Sequence, residues 1–301
     1  MILAAKLVPL ALLVAIGFVL GRFINVRSQE IGKLALYVLS PAVVFKGFAG
    51  AHLTGPLLAL PFAVFAAASL VAMVALTVAA RLWRDGRERI AGFTAATGNT
   101  GFFGIPACLA LVGPEALPYV VLVSFGATLY ENSVGYFVVA RSQATVAGAL
   151  GRVLRYPGLH ACWLGLAVNL GHLHLPAWLP QTVDLLAGGF SAVGMMIVGL
   201  GLAQVVRLRI DLGFTAYAFL WKFLAWPAIA IVFILADRAW LHTFGAVAHK
   251  VLLIESLTPM AAVTVVHATL QNIHPDRAAV AVAASTLIAL AWLPVVYGLF
   301  G

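Results

Sequence analysis

For most of its length the chain is a succession of apolar blocks about twenty residues long, divided by short stretches where charge, glycine and proline collect. Twenty helical residues at 1.5 Å rise cross the roughly 30 Å of hydrocarbon in a bilayer. The blocks lack the ten-residue alternation of apolar and polar positions that marks a lipid-facing barrel strand, so the pattern predicts helices. Ten spans follow: 4–21, 30–49, 56–80, 88–112, 116–140, 157–174, 180–206, 213–236, 247–271 and 277–300. The first block has the length of a signal-peptide core. It carries Pro9 and Gly17 and has no convincing small-x-small cleavage site, so it counts as a span. The expected fold class is an all-α polytopic membrane protein with ten transmembrane helices.

The polar joins give these spans an orientation and a symmetry. Arg22, Arg27, Lys33, Arg81, Arg84, Arg87, Arg89, Arg141, Arg152, Arg155, Arg207, Arg209 and Arg277 fall on one side, thirteen of the eighteen basic residues. Lys6, Lys46, Arg238 and Lys250 fall on the other, and Lys222 lies inside a span. Basic joins stay cytoplasmic, which puts both termini outside. The chain also halves: residues 1–141 carry five spans, 142–156 form a basic cytoplasmic linker, and 157–301 carry five more. Five is odd, so the second repeat sits inverted on the first, as in many secondary transporters.

Composition agrees. Apolar residues make up 63% of the chain, charged residues only 9%, and mean hydropathy is +1.05. A soluble surface calls for about 25% charged residues, so a soluble protein is excluded. The net charge of +8 is accounted for by orientation in the membrane, and nucleic acid is not an expected partner. Cys108 and Cys162 lie in apolar blocks and imply no disulfide framework. His160, His172, His174, His242 and His249 show no metal-ligand spacing, and no phosphate-binding G-x-x-x-x-G-K-[ST] run occurs, so neither a metal nor a cofactor is expected.

The fourth spans of the two halves are both interrupted. Span 4 has Gly98-Asn99-Thr100-Gly101 with Pro106, and span 9 has Glu255-Ser256-Leu257-Thr258-Pro259. Glycine and proline weaken the helical ladder, and paired interruptions in two halves point to a midplane binding site. Gly98, Gly101 and Gly104 resemble a G-x-x-G-x-x-G phosphate loop, but no strand–turn–helix unit surrounds them. Gly101 and Gly104 read equally as helix breaks or as close packing points. Asn99 is an amide at membrane depth that can offer two donors and an acceptor to a ligand. Ser124, Thr128, Glu131 and Asn132 share one face of span 5, either turned to the interior or bonded to their own backbone. Lys222 reads as an ion-pair partner of Glu255 or Glu131, or as a lysine snorkelling or packed among Trp221, Phe223 and Trp226.

Asn99-Thr100-x-x-x-Gly104-Ile105-Pro106 resembles the N-T-x-x-x-G-I-P signature of the auxin efflux carrier family, which includes plant PIN-type carriers and bacterial malonate-transporter-like members. Leu257-Thr258-Pro259, Asn272-Ile273-His274-Pro275-Asp276 and Ser40-Pro41-Ala42-Val43-Val44-Phe45 also resemble that family's patterns, and the likeness covers the whole ten-span layout. Two features depart from the plant members: Gly98 stands where they have proline, and the 141–156 linker is short, as in a compact bacterial member. The resemblance implies a fold like the bile-acid sodium symporters. Spans 1, 2, 6 and 7 would form a scaffold, and spans 3–5 with 8–10 a transport core in which broken spans 4 and 9 cross. It implies an organic anion carried by elevator-type alternating access in a bacterial inner membrane, and allows a homodimer through the scaffold.

On this reading Gly98, Asn99, Thr100, Thr258, Pro259 and Met260 bind the substrate carboxylate at half-helix N-termini. Gly101, Gly104 and Pro106 break the helix. Glu255, with Glu131, Ser124, Thr128 and Asn132, carries the coupling proton, since burial disfavours a charged carboxylate. The alternative is a sodium ion at Glu255 and Asn99. Readings of another class are an anion channel or an intramembrane enzyme; no nucleophile–base pair at recognisable spacing supports the enzyme, and the chain is expected not to be one.

Overall fold

A computed structural model describes residues 2–51, 54–140, 145–205 and 210–300. The boundary at 141–142, the start of the linker, and Arg141, Arg207 and Arg209 lie outside the described residues. The chain is helical: α1 (Ile2–Phe23), α2 (Ser28–Ala49), α3 (Gly55–Leu82), α4 (Arg87–Ala95), α5 (Thr100–Leu111), α6 (Leu117–Asn132), α7 (Val134–Ala140), α8 (Val146–Arg155), α9 (Pro157–Leu170), α10 (Trp178–Ala203), α11 (Leu212–Leu241), α12 (Ala246–Ser256), α13 (Val263–Leu270) and α14 (Pro275–Phe300). Six of these, α1, α2, α3, α10, α11 and α14, are long and apolar enough to cross a membrane.

Proline shapes three helices in the same way. Wide, π-type turns occupy Ala35–Leu39, Thr100–Gly104 and Leu220–Ala225, each ending two residues before a proline: Pro41, Pro106 and Pro227. A proline removes one N–H from the ladder and its ring crowds the carbonyl four residues back, so the preceding turn opens. Side chains cap three helix starts. The Thr54 and Thr145 hydroxyls accept from Leu57 and Gly148, and the Asp211 carboxylate accepts from Phe214.

Stretches expected as single spans are divided. The 88–112 span is α4 and α5, and the 247–271 span is α12 and α13, both interrupted where glycine and proline predicted. The 116–140 span also divides, at Ser133, whose backbone leaves the helical region (φ −121°, ψ −93°). The Ser133 hydroxyl bonds the Leu129 carbonyl, 2.5 Å away, a local alternative to regular helix that apolar patterning does not reveal. The linker, expected as a join, holds helix α8.

Four helices pack together: α1 lies along α10, α2 along α9, and α2 also meets α10. The α1–α10 approach is close because Gly17 faces the Met196 carbonyl and Gly199 the Val14 carbonyl, where no side chain would fit. The Asn169 amide reaches the Phe48, Ala49 and Ala51 carbonyls at 2.8–3.0 Å, closing the end of α2. In the rest of the molecule α3 packs on α4 and α6, and α13 on α14. Of the broken helices, α5 meets α1 and α10 as well as α6, whereas α4, α12 and α13 pack within the second group.

Candidate functional site

The two interruptions meet. Past α4 the backbone leaves the helix at Asn99 (φ −76°, ψ 61°), whose N–H donates to the Pro259 carbonyl at 2.8 Å. Gly98 and Met260 pair as an isolated antiparallel bridge. The two breaks thus satisfy part of each other's backbone, which a broken helix at membrane depth requires. Three further polar groups at the breaks also have partners. Gly104 N–H donates to the Asn99 carbonyl at 2.9 Å, Met260 N–H to Ser285 Oγ at 3.0 Å, and the Thr258 hydroxyl to the Glu255 carbonyl at 2.8 Å.

Four helix ends therefore converge: the C-terminal ends of α4 and α12, and the N-terminal ends of α5 and α13. Carbonyl-rich C-terminal ends are partially negative and amide-rich N-terminal ends partially positive. Helix α11 serves the negative ends. The Trp226 indole N–H donates to the Ala95 carbonyl at 2.7 Å. One turn earlier, Lys222 lies only 3% exposed with its Nζ pressed against Gly98. A Cβ at Gly98 would run into Nζ and stand 2.7 Å from Thr258 Oγ1, so this approach needs glycine. Gly104 plays the same part for Glu255, which is 4% exposed: a Cβ there would overlap Oε1 and lie 2.7 Å from Cδ.

Glu255 Oε1 accepts from the Cys108 thiol at 3.7 Å, and Oε2 has no hydrogen-bond partner among the described residues. Lys222 makes no direct ion pair among the described residues, although Glu255 and Glu131 both lie within range of its charge. Lys222, Glu255, Ser256, Gly98 and Thr100 line a cavity of about 150 Å³, and its other walls are apolar side chains of α3, α6, α11 and α12.

The other residues expected at the site divide. Asn99 is half-buried, its side-chain amide bonds no described residue, and it does not line that cavity. Its neighbour Phe102 packs on Phe190, 5.6 Å between ring centres, and on Gly194, so this side of the break faces α10. The Thr100 carbonyl accepts from the Ser124 hydroxyl at 3.1 Å, while Thr128 and Asn132 turn back to their own helix, bonding the Ser124 and Thr128 carbonyls at 2.9 Å. Glu131 is half-buried outside the cavity. Gly101 faces open space, Pro106 is buried inside α5, and Thr258 and Met260 are fully buried. His267 is buried with its ring edge-on to Phe93 at 4.7 Å. Trp226, Ser285 and Cys108 were not expected at the crossing. Their sequence signal is weak: a tryptophan four residues after a membrane lysine, and single polar atoms in apolar runs.

A second charged cluster lies at one end of the bundle. Asp211 Oδ2 accepts from Arg87 at 2.8 Å and from Arg277 at 2.9 Å, and Oδ1 accepts from Phe214 N–H at 3.0 Å. Burial pushes the Asp211 carboxyl up, but these donors outweigh it and hold the group below its ordinary value of 3.8. The hydrogen bond from Arg87 holds Asp85 below its ordinary value as well.

A family profile described as membrane transport protein matches residues 149–297, about half of the chain. An uncharacterized transporter of Methanocaldococcus jannaschii is 23% identical over 280 residues, covering 87% of each chain. An uncharacterized transporter of Methanothermobacter thermautotrophicus is 25% identical over 290 residues, covering 94% of this chain and 93% of its own. With apolar helices of membrane length, a membrane transport protein profile matched over its second half and two transporter relatives matched along most of their length, this chain is an integral membrane transport protein rather than an enzyme.

Proposed function

We propose that the protein is a secondary active transporter of small organic anions, monocarboxylates, dicarboxylates or auxin-like acids, driven by a proton gradient. The observation that carries this is the meeting of two broken helices through Asn99 N–H and the Pro259 carbonyl, which presents the N-terminal ends of α5 and α13 at one place. The six long helices, with α4–α5, α6–α7, α9 and α12–α13, supply ten crossings in two inverted repeats, 1–141 and 157–301. Helices α1, α2, α9 and α10 are the scaffold and the surface for a homodimer, against which the other helices move as an elevator. Asn99 holds the substrate carboxylate on the side facing α10, with Thr100, Thr258 and Pro259 shaping the break and Met260 sealing it. Glu255 carries the proton, with Glu131, Ser124, Thr128 and Asn132 forming the polar surroundings. The termini lie outside a bacterial inner membrane and the 142–156 linker inside.

Uptake of radiolabelled mono- and dicarboxylates into proteoliposomes tests the reading. Saturable uptake driven by a pH gradient is expected. Asn99→Ala should weaken substrate binding by roughly 1–3 kcal/mol, the range for a hydrogen bond to a charged group. Unsaturating flux would make the protein a channel, and an Asn99→Asp variant with wild-type affinity would move the anion site elsewhere. Glu255→Gln should lose gradient-driven uptake and keep exchange; loss of a sodium stimulation instead would assign a sodium-coupled symporter.

A further inference from the structure

The back of the crossing is a place where elementary electrostatics asks for a cation. The C-terminal ends of α4 and α12 both reach it, Glu255 adds a carboxylate with an unpartnered oxygen, and the Thr258 hydroxyl oxygen faces the same glycine as Lys222 Nζ. In broken membrane helices such ends and unwound carbonyls commonly hold a mobile cation. In this chain Lys222 reaches the spot from α11, a helix that belongs to neither break. Its Nζ lies against Gly98 at the end of α4, buried and without a direct ion-pair partner among the described residues. The approach is built rather than incidental. Pro227 opens the turn Leu220–Ala225 that carries Lys222, Trp226 anchors the same stretch to the Ala95 carbonyl, and Gly98 clears the space.

We propose that Lys222 is a tethered cation, its ammonium occupying the cation position of the crossing in place of a mobile metal ion, so that the protein works without sodium. The inference rests on the transport reading above and adds the identity of the charge that holds the crossing. Lys222 acts on the carrier through the helix ends and Glu255, and is a positioning residue. Because it is covalently attached, the crossing keeps its positive charge throughout the cycle, and the organic anion and a proton remain the species that bind and leave.

Shortening the side chain should convert the tethered site into an ordinary one. The thermal unfolding of purified full-length protein would be followed in sodium, choline and ethylammonium chloride at equal ionic strength, with no organic anion present. The wild type should respond equally to all three. Lys222→Ala should unfold several degrees lower in choline and recover in sodium or ethylammonium, as a ligand that binds only the folded state requires. Lys222→Ala with Glu255→Gln should lose that recovery. Wild-type protein stabilised by sodium over choline would overturn the assignment. So would Lys222→Ala that is indifferent to all three salts, or that yields no folded protein in any of them. Since no substrate enters these measurements, a failure of organic-anion uptake would count against the transport reading alone.

Discussion

Asp211 and Glu255 are both carboxylates shielded from solvent near the end of a helix, and both have a basic residue close by. Asp211 is saturated: two guanidinium groups and a backbone N–H occupy its oxygens, joining α4, α11 and α14. Glu255 accepts one thiol, leaves Oε2 unpartnered, and is not in direct contact with Lys222. An incompletely paired charge is costly to bury, so a fold keeps one only where something else is served. Strong geometric pairing marks the Asp211 cluster as a clamp on the bundle. The incomplete pairing of Glu255 is the feature on which the proposed proton exchange rests.

Substitutions at three positions would break or sharpen this contrast. Gly104→Leu has the largest expected effect. Its side chain would displace the Glu255 carboxylate, costing roughly 3 kcal/mol of overpacking and abolishing uptake. Thermal unfolding beside a flux assay reads both, and a Gly104→Leu protein with normal uptake would remove Glu255 from the mechanism. Asp211→Ala should come next, losing roughly 2 kcal/mol of stability through a helix cap and two charged hydrogen bonds while substrate affinity stays unchanged. A pH series sharpens the same point. The folded Asp211 carboxyl lies below its ordinary 3.8, so its contribution is complete above that pH and declines only as the pH falls through the lower folded value. Asp211→Asn should lose that acid limb from a plot of melting temperature against pH. An affinity change in Asp211→Ala would show that the clamp and the crossing are one device. The smallest effect belongs to Lys33→Ala, which breaks the exposed pair with Glu30 at 2.9 Å and should shift stability by less than about 0.5 kcal/mol. A larger loss there would mean that exposed pairs also brace the bundle.

Much of the crossing was legible because it depends on residues that disturb a helix. Gly98, Pro106 and Pro259 interrupt apolar runs, and their chemistry acts locally, so the breaks in the 88–112 and 247–271 spans could be placed from sequence. The break at Ser133 could not, because a serine in a membrane helix ordinarily bonds its own backbone without interrupting it. Nor could helix α8, whose residues read as a basic join.

The sequence by itself determined that this is a helical membrane protein, from the length and apolar character of its blocks. It also determined where two spans are interrupted, and its motifs pointed to the family, because these are properties of short stretches of chain. Tertiary structure decided which polar groups meet. It brought Pro259 to Asn99, Ser285 to Met260, Trp226 to Ala95 and the Glu255 carboxylate to Gly104, pairs separated by between 25 and about 160 residues. It also decided that Thr128 and Asn132 bond their own helix while Ser124 reaches across to Thr100. Spacing can place residues on one face of a helix. Only the packing of the other helices decides what that face meets, and therefore which buried charge is paired and which is not.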